Sequence, residues 1–398
     1  MGRASNWNGM AAPDRLFLLM LGVFLGGGML NAVETLLVPR FKLMLGLGYA
    51  QALTIQLAYY ASYLLLAWPV TVIVARAGSM RAIAIGAATI AAGSLALAAS
   101  LTARAFAPLL AALLATSTGV TILQIACNGM MATTGSRDRA ASRFTALQGF
   151  NSLGTVLGPL AGAGALLGSA GGAAPQLPFV AFAAGFLTLA MAFRRGVGAI
   201  SSERAVVPHA AQLFTLLRTR AMSGGVAAIF AYVGAEVTIG TLAPSYLMLH
   251  DRGGWTPAGA GRLVSLYWSG AMIGRFAGAW MLRRAAPRAL LSVAALAAMA
   301  LTLLAALPTG RVGAAALLAV GLTNSIMFPT VFALAMPSDA RDVPAASMLL
   351  CMAVVGGAIV PLTTGLIADR TGLATALLLP SLCYAAVLAF THMIRTRA

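Results

Sequence analysis

Nine acidic residues occur in this 398-residue chain, and two of them, Glu34 and Glu236, stand inside long apolar segments. A carboxyl at the centre of a membrane helix costs about 3 kcal/mol on insertion scales, so one that is retained there points to ion or proton chemistry. Desolvation favours its protonated form and a nearby cation favours the ionised one, so a change of surroundings can load or release a proton. The structural alternative is a neutral acid hydrogen-bonded to a neighbouring helix. Amides share these segments: Asn31, Gln56, Gln124, Asn128, Gln148, Asn151 and Asn324. Each can donate and accept, and each must find partners in lipid. Gln124 and Asn128 are four apart, Gln148 and Asn151 three apart, so each pair shares a helix face. Such a pair either lines a polar path or bonds two helices together. Flat faces come from Tyr59, Tyr60, Tyr63, Tyr232, Phe328 and the adjacent Tyr267 and Trp268, the last two being the strongest candidates for a ligand platform.

Other chemistries find little support. His209, His250 and His392 fall near segment ends, which disfavours a histidine relay. Cys127, Cys351 and Cys383 are too scattered for a metal site or a disulfide framework and read as packing residues. No nucleophile and base stand together as an enzyme requires, and no cofactor is expected.

The elements that position these groups must be membrane spans. Sixty per cent of the residues are hydrophobic, 9% are charged, and the mean hydropathy is +0.90, which describes a polytopic all-α membrane protein. Apolar runs long enough to cross a bilayer predict twelve helices. They lie over 15 to 38, 50 to 75, 82 to 103, 106 to 133, 140 to 167, 177 to 193, 222 to 248, 258 to 282, 288 to 309, 312 to 336, 344 to 368 and 373 to 393. The longest polar connection, Arg194 to Arg220, divides a bundle over 1–194 from one over 221–398, with 195–220 as a cytoplasmic linker.

Of the 26 basic residues, Arg40, Lys42, Arg104, Arg252, Arg262, Arg311 and Arg370 fall on one face of this topology and all the others, Arg275 among them, on the other. The positive-inside rule makes the richer face cytoplasmic, with both termini on it. The net charge of +17 is thereby topological, and no basic stripe suggests nucleic acid. The halves also echo one another. Gly154 and Pro159 recur as Gly356 and Pro361, Arg76 and Arg81 as Arg283 and Arg288, and Pro39 as Pro244, at offsets of 202, 207 and 205. Pro39 and Pro244 are expected to close the first helix of each half. A parallel six-plus-six repeat places a site between the halves near mid-membrane, and the proline register sets Asn31 opposite Glu236.

The stretch LVPRFKLMLGLGYAQALTIQLAYY from Leu37, GVTILQIACNGMM from Gly119, SRFTALQGFNSLGTVLGPLAG from Ser142, AYVGAEVTIG from Ala231, IGRFAGAWM from Ile273 and GGAIVPLTTGLIADRTG from Gly356 carry a family pattern. The chain resembles the major facilitator superfamily, and within it the fucose/galactose/glucose proton symporters. The resemblance implies two pseudo-symmetric six-helix bundles and import of a neutral hexose by alternating access with H+, or alternatively Na+ at Glu34 or Glu236. A proton-coupled exporter of lipophilic compounds is the alternative, and a membrane sensor is a more distant one. On this reading the coupling residues are Glu34 and Glu236, and the substrate residues are Asn31, Gln56, Gln124, Asn128, Gln148, Asn151, Tyr267, Trp268 and Asn324. Arg76, Arg81, Arg283 and Arg288 resemble the superfamily's cytoplasmic loop motif, without its usual Asp after the second helix, and act in gating or in topology. The chain departs from the pattern in having Thr35 at the usual acidic position, one residue after Glu34, Gln124 where some members have Glu, and Gly129 in place of Pro. The expected location is the inner membrane, as a monomer.

Overall fold

The computed structural model describes residues 12–133, 137–168, 174–195, 209–282, 284–307, 309–339 and 341–394, and among them every regular element is helical. The first span comprises α1 (Ala12–Thr35) and α2 (Leu37–Leu45), and the second α3 (Tyr49–Leu65) and α4 (Ala67–Ala77). Then come α5 (Ser79–Thr102), α6 (Phe106–Thr133), α7 (Arg137–Leu167) and α8 (Leu177–Arg195). A short helix, α9 (Ala210–Leu217), precedes α10 (Arg220–Leu247), α11 (Pro257–Met281), α12 (Pro287–Ala306) and the two-part span α13 (Arg311–Asn324) and α14 (Met327–Ala335). The last two spans are α15 (Val343–Met352) with α16 (Gly356–Thr371), and α17 (Leu373–Ala376) with α18 (Leu378–Met393).

Ten of these spans are long and apolar enough to cross a membrane, and the bent pair α3–α4 makes an eleventh. α11 carries Arg262 and Arg275 in 25 residues, about 37 Å of helix, and completes twelve. The outward faces bear large apolar side chains such as Leu95 (54% exposed), Leu187 (50%) and Leu382 (66%). Water would penalise that surface, and lipid does not.

The prolines do not close helices as the sequence suggests. Pro39 lies in the first turn of α2, where a missing N–H costs nothing, so the first span runs on to Leu45. Pro244 lies inside α10, which continues to Leu247. Small residues hold α1 against α7: a Cβ on Gly154 would stand 2.2 Å from the Leu25 carbonyl oxygen and one on Gly28 2.1 Å from that of Asn151. In lipid, such close backbone approach supplies the dispersion energy that apolar burial supplies in water.

Helices of the first half, α1 to α8, meet those of the second, α10 to α18, along two seams, α3 with α16 and α7 with α11. The α3–α16 seam starts at a cross-half helix cap. The first-turn N–H groups of Tyr49 and Ala50 donate to the two carboxylate oxygens of Asp369, at 2.6 and 2.9 Å. The N-cap residue Gly48 has no side chain to do this itself, and a Cβ there would stand 2.9 Å from Asp369 Oδ2. Asp369 lies in the last turn of α16, where the helix dipole disfavours a carboxylate by about 0.3–1 kcal/mol, and the N-terminal end of α3 offers the complementary sign.

Further along this seam, a Cβ on Gly365 would meet Ala50 at 2.9 Å, and one on Gly357 would meet the Tyr60 ring at 3.0 Å. Past Leu65 the span bends by 53°, and α4 packs on α5 and α6 of its own half. The halves therefore join most closely at the Asp369 end. Two arginines at that end cap helix C-termini: Arg40 donates to the carbonyl of Leu166 on α7, and Arg252 to that of Leu307 after α12. Arg252, read from sequence as a loop charge, is 3% exposed and also pairs with Asp251.

Candidate functional site

Glu34 is the last residue but one of α1, two positions before the span breaks at Leu36, and is only 3% exposed. Both carboxyl oxygens are enclosed and neither has a hydrogen-bond partner. Its surroundings are the tyrosines of α3: Tyr59, Tyr60 and Tyr63 all lie within its electrostatic reach. That triplet is tightly organised. The Tyr59 and Tyr60 rings meet edge to face at 5.0 Å, Tyr60 and Tyr63 stack at 5.9 Å, and the Tyr59 and Tyr63 rings lie 6.4 Å apart. Asn31, one turn before Glu34, lies near the Tyr60 hydroxyl. Gln56, one turn before Tyr60 on α3, is 3% exposed.

The second half answers with a polar group of its own. Glu236 on α10 is half-buried, and Tyr232, one turn before it on the same helix, lies within its electrostatic range. The Tyr267 hydroxyl donates to the Glu236 backbone carbonyl at 3.2 Å, and Asn324 Nδ2 donates to that hydroxyl at 2.8 Å. Tyr267 and Trp268 meet edge to face at 5.0 Å, and the buried Trp268 Nε1–H has no partner. Tyr60 is within reach of both Glu34 and Glu236 and feels Tyr267 as well. Tyr60, whose ring packs against Gly357 across the seam, is thus within electrostatic range of one carboxyl from each half.

The remaining predicted residues divide. Gln124 is exposed and Gln148 half-exposed, so both amides are open to a ligand or to water. Asn151 turns instead to the Phe24 carbonyl on α1, at 3.1 Å. Asn324 and Tyr267 are fully buried and act in this arrangement as internal braces for α10, so the reading of Tyr267 as an accessible platform is corrected: its hydroxyl and ring are both committed to neighbours. Asn128 lies outside the described side chains, and Arg283 outside the described residues. Arg76 and Arg81 are exposed and Arg288 half-exposed.

A model of the superfamily described as "Major Facilitator Superfamily" matches residues 16–341. The chain belongs to the Major Facilitator Superfamily. Among its relatives is the glucose/galactose transporter of Brucella abortus biovar 1 (strain 9-941), 33% identical over 383 residues that cover 94% of this chain and 93% of that one. Another is the L-fucose-proton symporter of Escherichia coli (strain K12), 27% identical over 407 residues covering 94% and 92%. Among solved structures, the superfamily transporter FucP in the outward conformation aligns with a TM-score of 0.72 and 25% identity over 97% of this chain and 100% of that one. A bacterial homologue of the lysosomal transporter Spinster, inward-facing and occupied, aligns with a TM-score of 0.73 at 13% identity over 98% and 97%, a likeness of fold alone.

Two residues of this superfamily member escaped the sequence reading. Asp369, which the sequence does not single out, is the cross-half cap. Arg275 was counted with the loop arginines, yet it lies six residues inside the end of α11, half-buried, and its guanidinium donates to the Ser152 hydroxyl on α7. The available signal was its position amid the apolar run from Ala271 to Trp280, interrupted by no other charge.

Proposed function

We propose that the protein is a secondary transporter of the inner membrane that imports a neutral monosaccharide, a hexose such as glucose, galactose or fucose, together with a proton. The observation that carries the reading is the pair of membrane-embedded carboxyls on α1 and α10, one in each half, reached in common by Tyr60. Relatives named for glucose/galactose transport and for L-fucose-proton symport support the substrate class and the ion.

In this reading the Asp369 end faces outward by the positive-inside rule, and the halves, joined there, form an inward-facing arrangement. Alternating access then consists of opening the α3–α16 cap while the opposite ends close. Glu34, enclosed and without a cation or a hydrogen-bond partner, carries the coupled proton, because an unpaired buried carboxylate is costly. Glu236 answers in the second half. Gln124, Gln148 and Gln56 supply hydroxyl-binding amides, and the edge of Trp268 supplies an apolar face with an unused N–H for a sugar oxygen.

Counterflow into proteoliposomes with a panel of labelled hexoses tests the substrate, and repetition under H+ or Na+ gradients tests the ion. Exchange of one hexose, accelerated by an inward H+ gradient, is the expected result. Absence of exchange with every hexose, together with drug resistance in an expressing strain, would replace import with export of lipophilic compounds.

A further inference from the structure

The two seams between the halves are built differently. Along α3–α16 the contact runs from the Asp369 cap at Tyr49 to Gly357, whose Cβ would meet the Tyr60 ring at 3.0 Å, about 17 Å of helix. Both partners then break at about one level: α3 bends by 53° into α4 past Leu65, and a single 3₁₀ turn, Ala353–Val355, interrupts the span between α15 and α16. Along α7–α11 neither helix breaks. A Cβ on Gly261 would stand 3.0 Å from that of Ala163 near the Asp369 end, and one on Gly149 would stand 3.9 Å from the Phe276 ring toward the other. These two helices therefore stay together over about 22 Å.

The bonds that cross the seams differ in the same sense. Those of the Asp369 cap lie at an exposed helix end, where water replaces them on opening. The α7–α11 seam is crossed at membrane depth. Ser265, 4% exposed, donates to the Val156 carbonyl at 3.0 Å. Arg275 Nη1 donates to the hydroxyl of Ser152, 2% exposed, which donates onward to the Gln148 carbonyl at 3.0 Å. Val156 lies in the turn before Pro159, whose ring disturbs the carbonyls of that turn, so α11 supplies a donor where the ladder of α7 is weakest. Parting these helices would strip the guanidinium of this acceptor inside a lipid-walled bundle, a cost that the exposed cap does not carry.

We propose that the α7–α11 seam stays joined in both access states, with Arg275 and Ser152 as the positioning residues that hold it, and that access changes on the α3–α16 side, where the helices bend at Leu66 and at Ala353–Val355. Access then alternates along one edge of the interface instead of evenly along both. The purpose of such a motion rests on the transport reading, and its geometry does not.

Two engineered disulfides test it by hexose counterflow, in a background with Cys127, Cys351 and Cys383 replaced by Ala and each against the same sample reduced. Oxidised Ala163→Cys with Gly261→Cys, across α7 and α11, should keep most of the counterflow of its reduced form. Oxidised Ala50→Cys with Gly365→Cys, across α3 and α16, should lose it. Arrest by both cross-links, or by neither, would overturn the proposal. Spin-label distances in nanodiscs form a second arm that needs no sugar. Labels at Leu160 and Leu266, exposed positions on α7 and α11, should keep one narrow distribution when Asp369→Asn shifts the pair at Ala103 and Val312, exposed positions on the two halves at the Asp369 end. A Leu160–Leu266 distribution that moves with the outer pair, or an outer pair that Asp369→Asn leaves in place, would equally overturn it. Arg275→Gln and Ser152→Ala should each broaden the Leu160–Leu266 distribution, the double variant no further, and Arg275→Lys should keep it narrow. Additive broadening, or none, would remove the two residues from the positioning role. Absence of hexose counterflow in the wild type, with the distances behaving as expected, would sink the sugar reading and leave the joined seam standing.

Discussion

Replacing Asp369 by Asn should open the molecule at the end where its halves are joined. The carboxylate accepts the N–H groups of Tyr49 and Ala50 at 2.6 and 2.9 Å. Charge-assisted hydrogen bonds of this kind are worth about 1.5–3 kcal/mol each when shielded, and the dipole of α3 adds about 0.3–1 kcal/mol. Asp369 is exposed, so solvent reduces both terms, and Asn keeps one acceptor oxygen. The net loss is about 1.5 kcal/mol, which corresponds to about a tenfold shift in the ratio of closed to open forms. The bonds exist only while α3 and α16 meet, so the whole loss falls on the closed form. Spin labels at Ala103 and Val312 report the two populations directly. Gly48→Ala should act in the same direction, since its Cβ would stand 2.9 Å from the carboxylate. An unchanged distance distribution in both Asp369→Asn and Asp369→Ala would refute the assignment of the cap as the outer latch.

Three further outcomes are expected. Gly154→Val should destabilise the first half by 2 kcal/mol or more, roughly the scale of a severe steric insertion, because its Cβ would be 2.2 Å from the Leu25 carbonyl; a thermal unfolding midpoint equal to wild type would contradict the packing argument. Tyr60→Phe removes a hydroxyl within electrostatic range of both Glu34 and Glu236 and should slow coupled uptake more than counterflow; equal slowing of both would reduce Tyr60 to a packing residue. Glu34→Gln should leave counterflow measurable and make it less sensitive to external pH than in the wild type, whereas a wild-type pH profile would remove Glu34 from the coupling role.

The spans were legible in the sequence because a bilayer dictates their length and composition. Most predicted ends fall within three residues of the observed ones, as with 106 to 133 against Phe106–Thr133. The prolines misled, since Pro39 starts a helical turn as readily as it ends a helix. The exact neighbours of the polar residues were not legible. Asp369 and Tyr49 are separated by 320 positions, and hydropathy carries no information about which helix ends meet across the seam. Arg275 was hidden by the same positive-inside reasoning that oriented the chain, because a cation near a helix end reads as a loop charge unless its partner is known. Asn151 and Asn324 show the reverse: an intramembrane amide must be satisfied, and a backbone carbonyl or a tyrosine hydroxyl satisfies it as well as a ligand does.

The most direct test of the central claim is gradient-driven uptake by Glu236→Gln in proteoliposomes, set beside counterflow by the same protein. The account predicts that hexose exchange survives, because the amides and Trp268 remain in place, while accumulation against a concentration gradient under an imposed H+ gradient is abolished. Uphill accumulation at the wild-type level would contradict it.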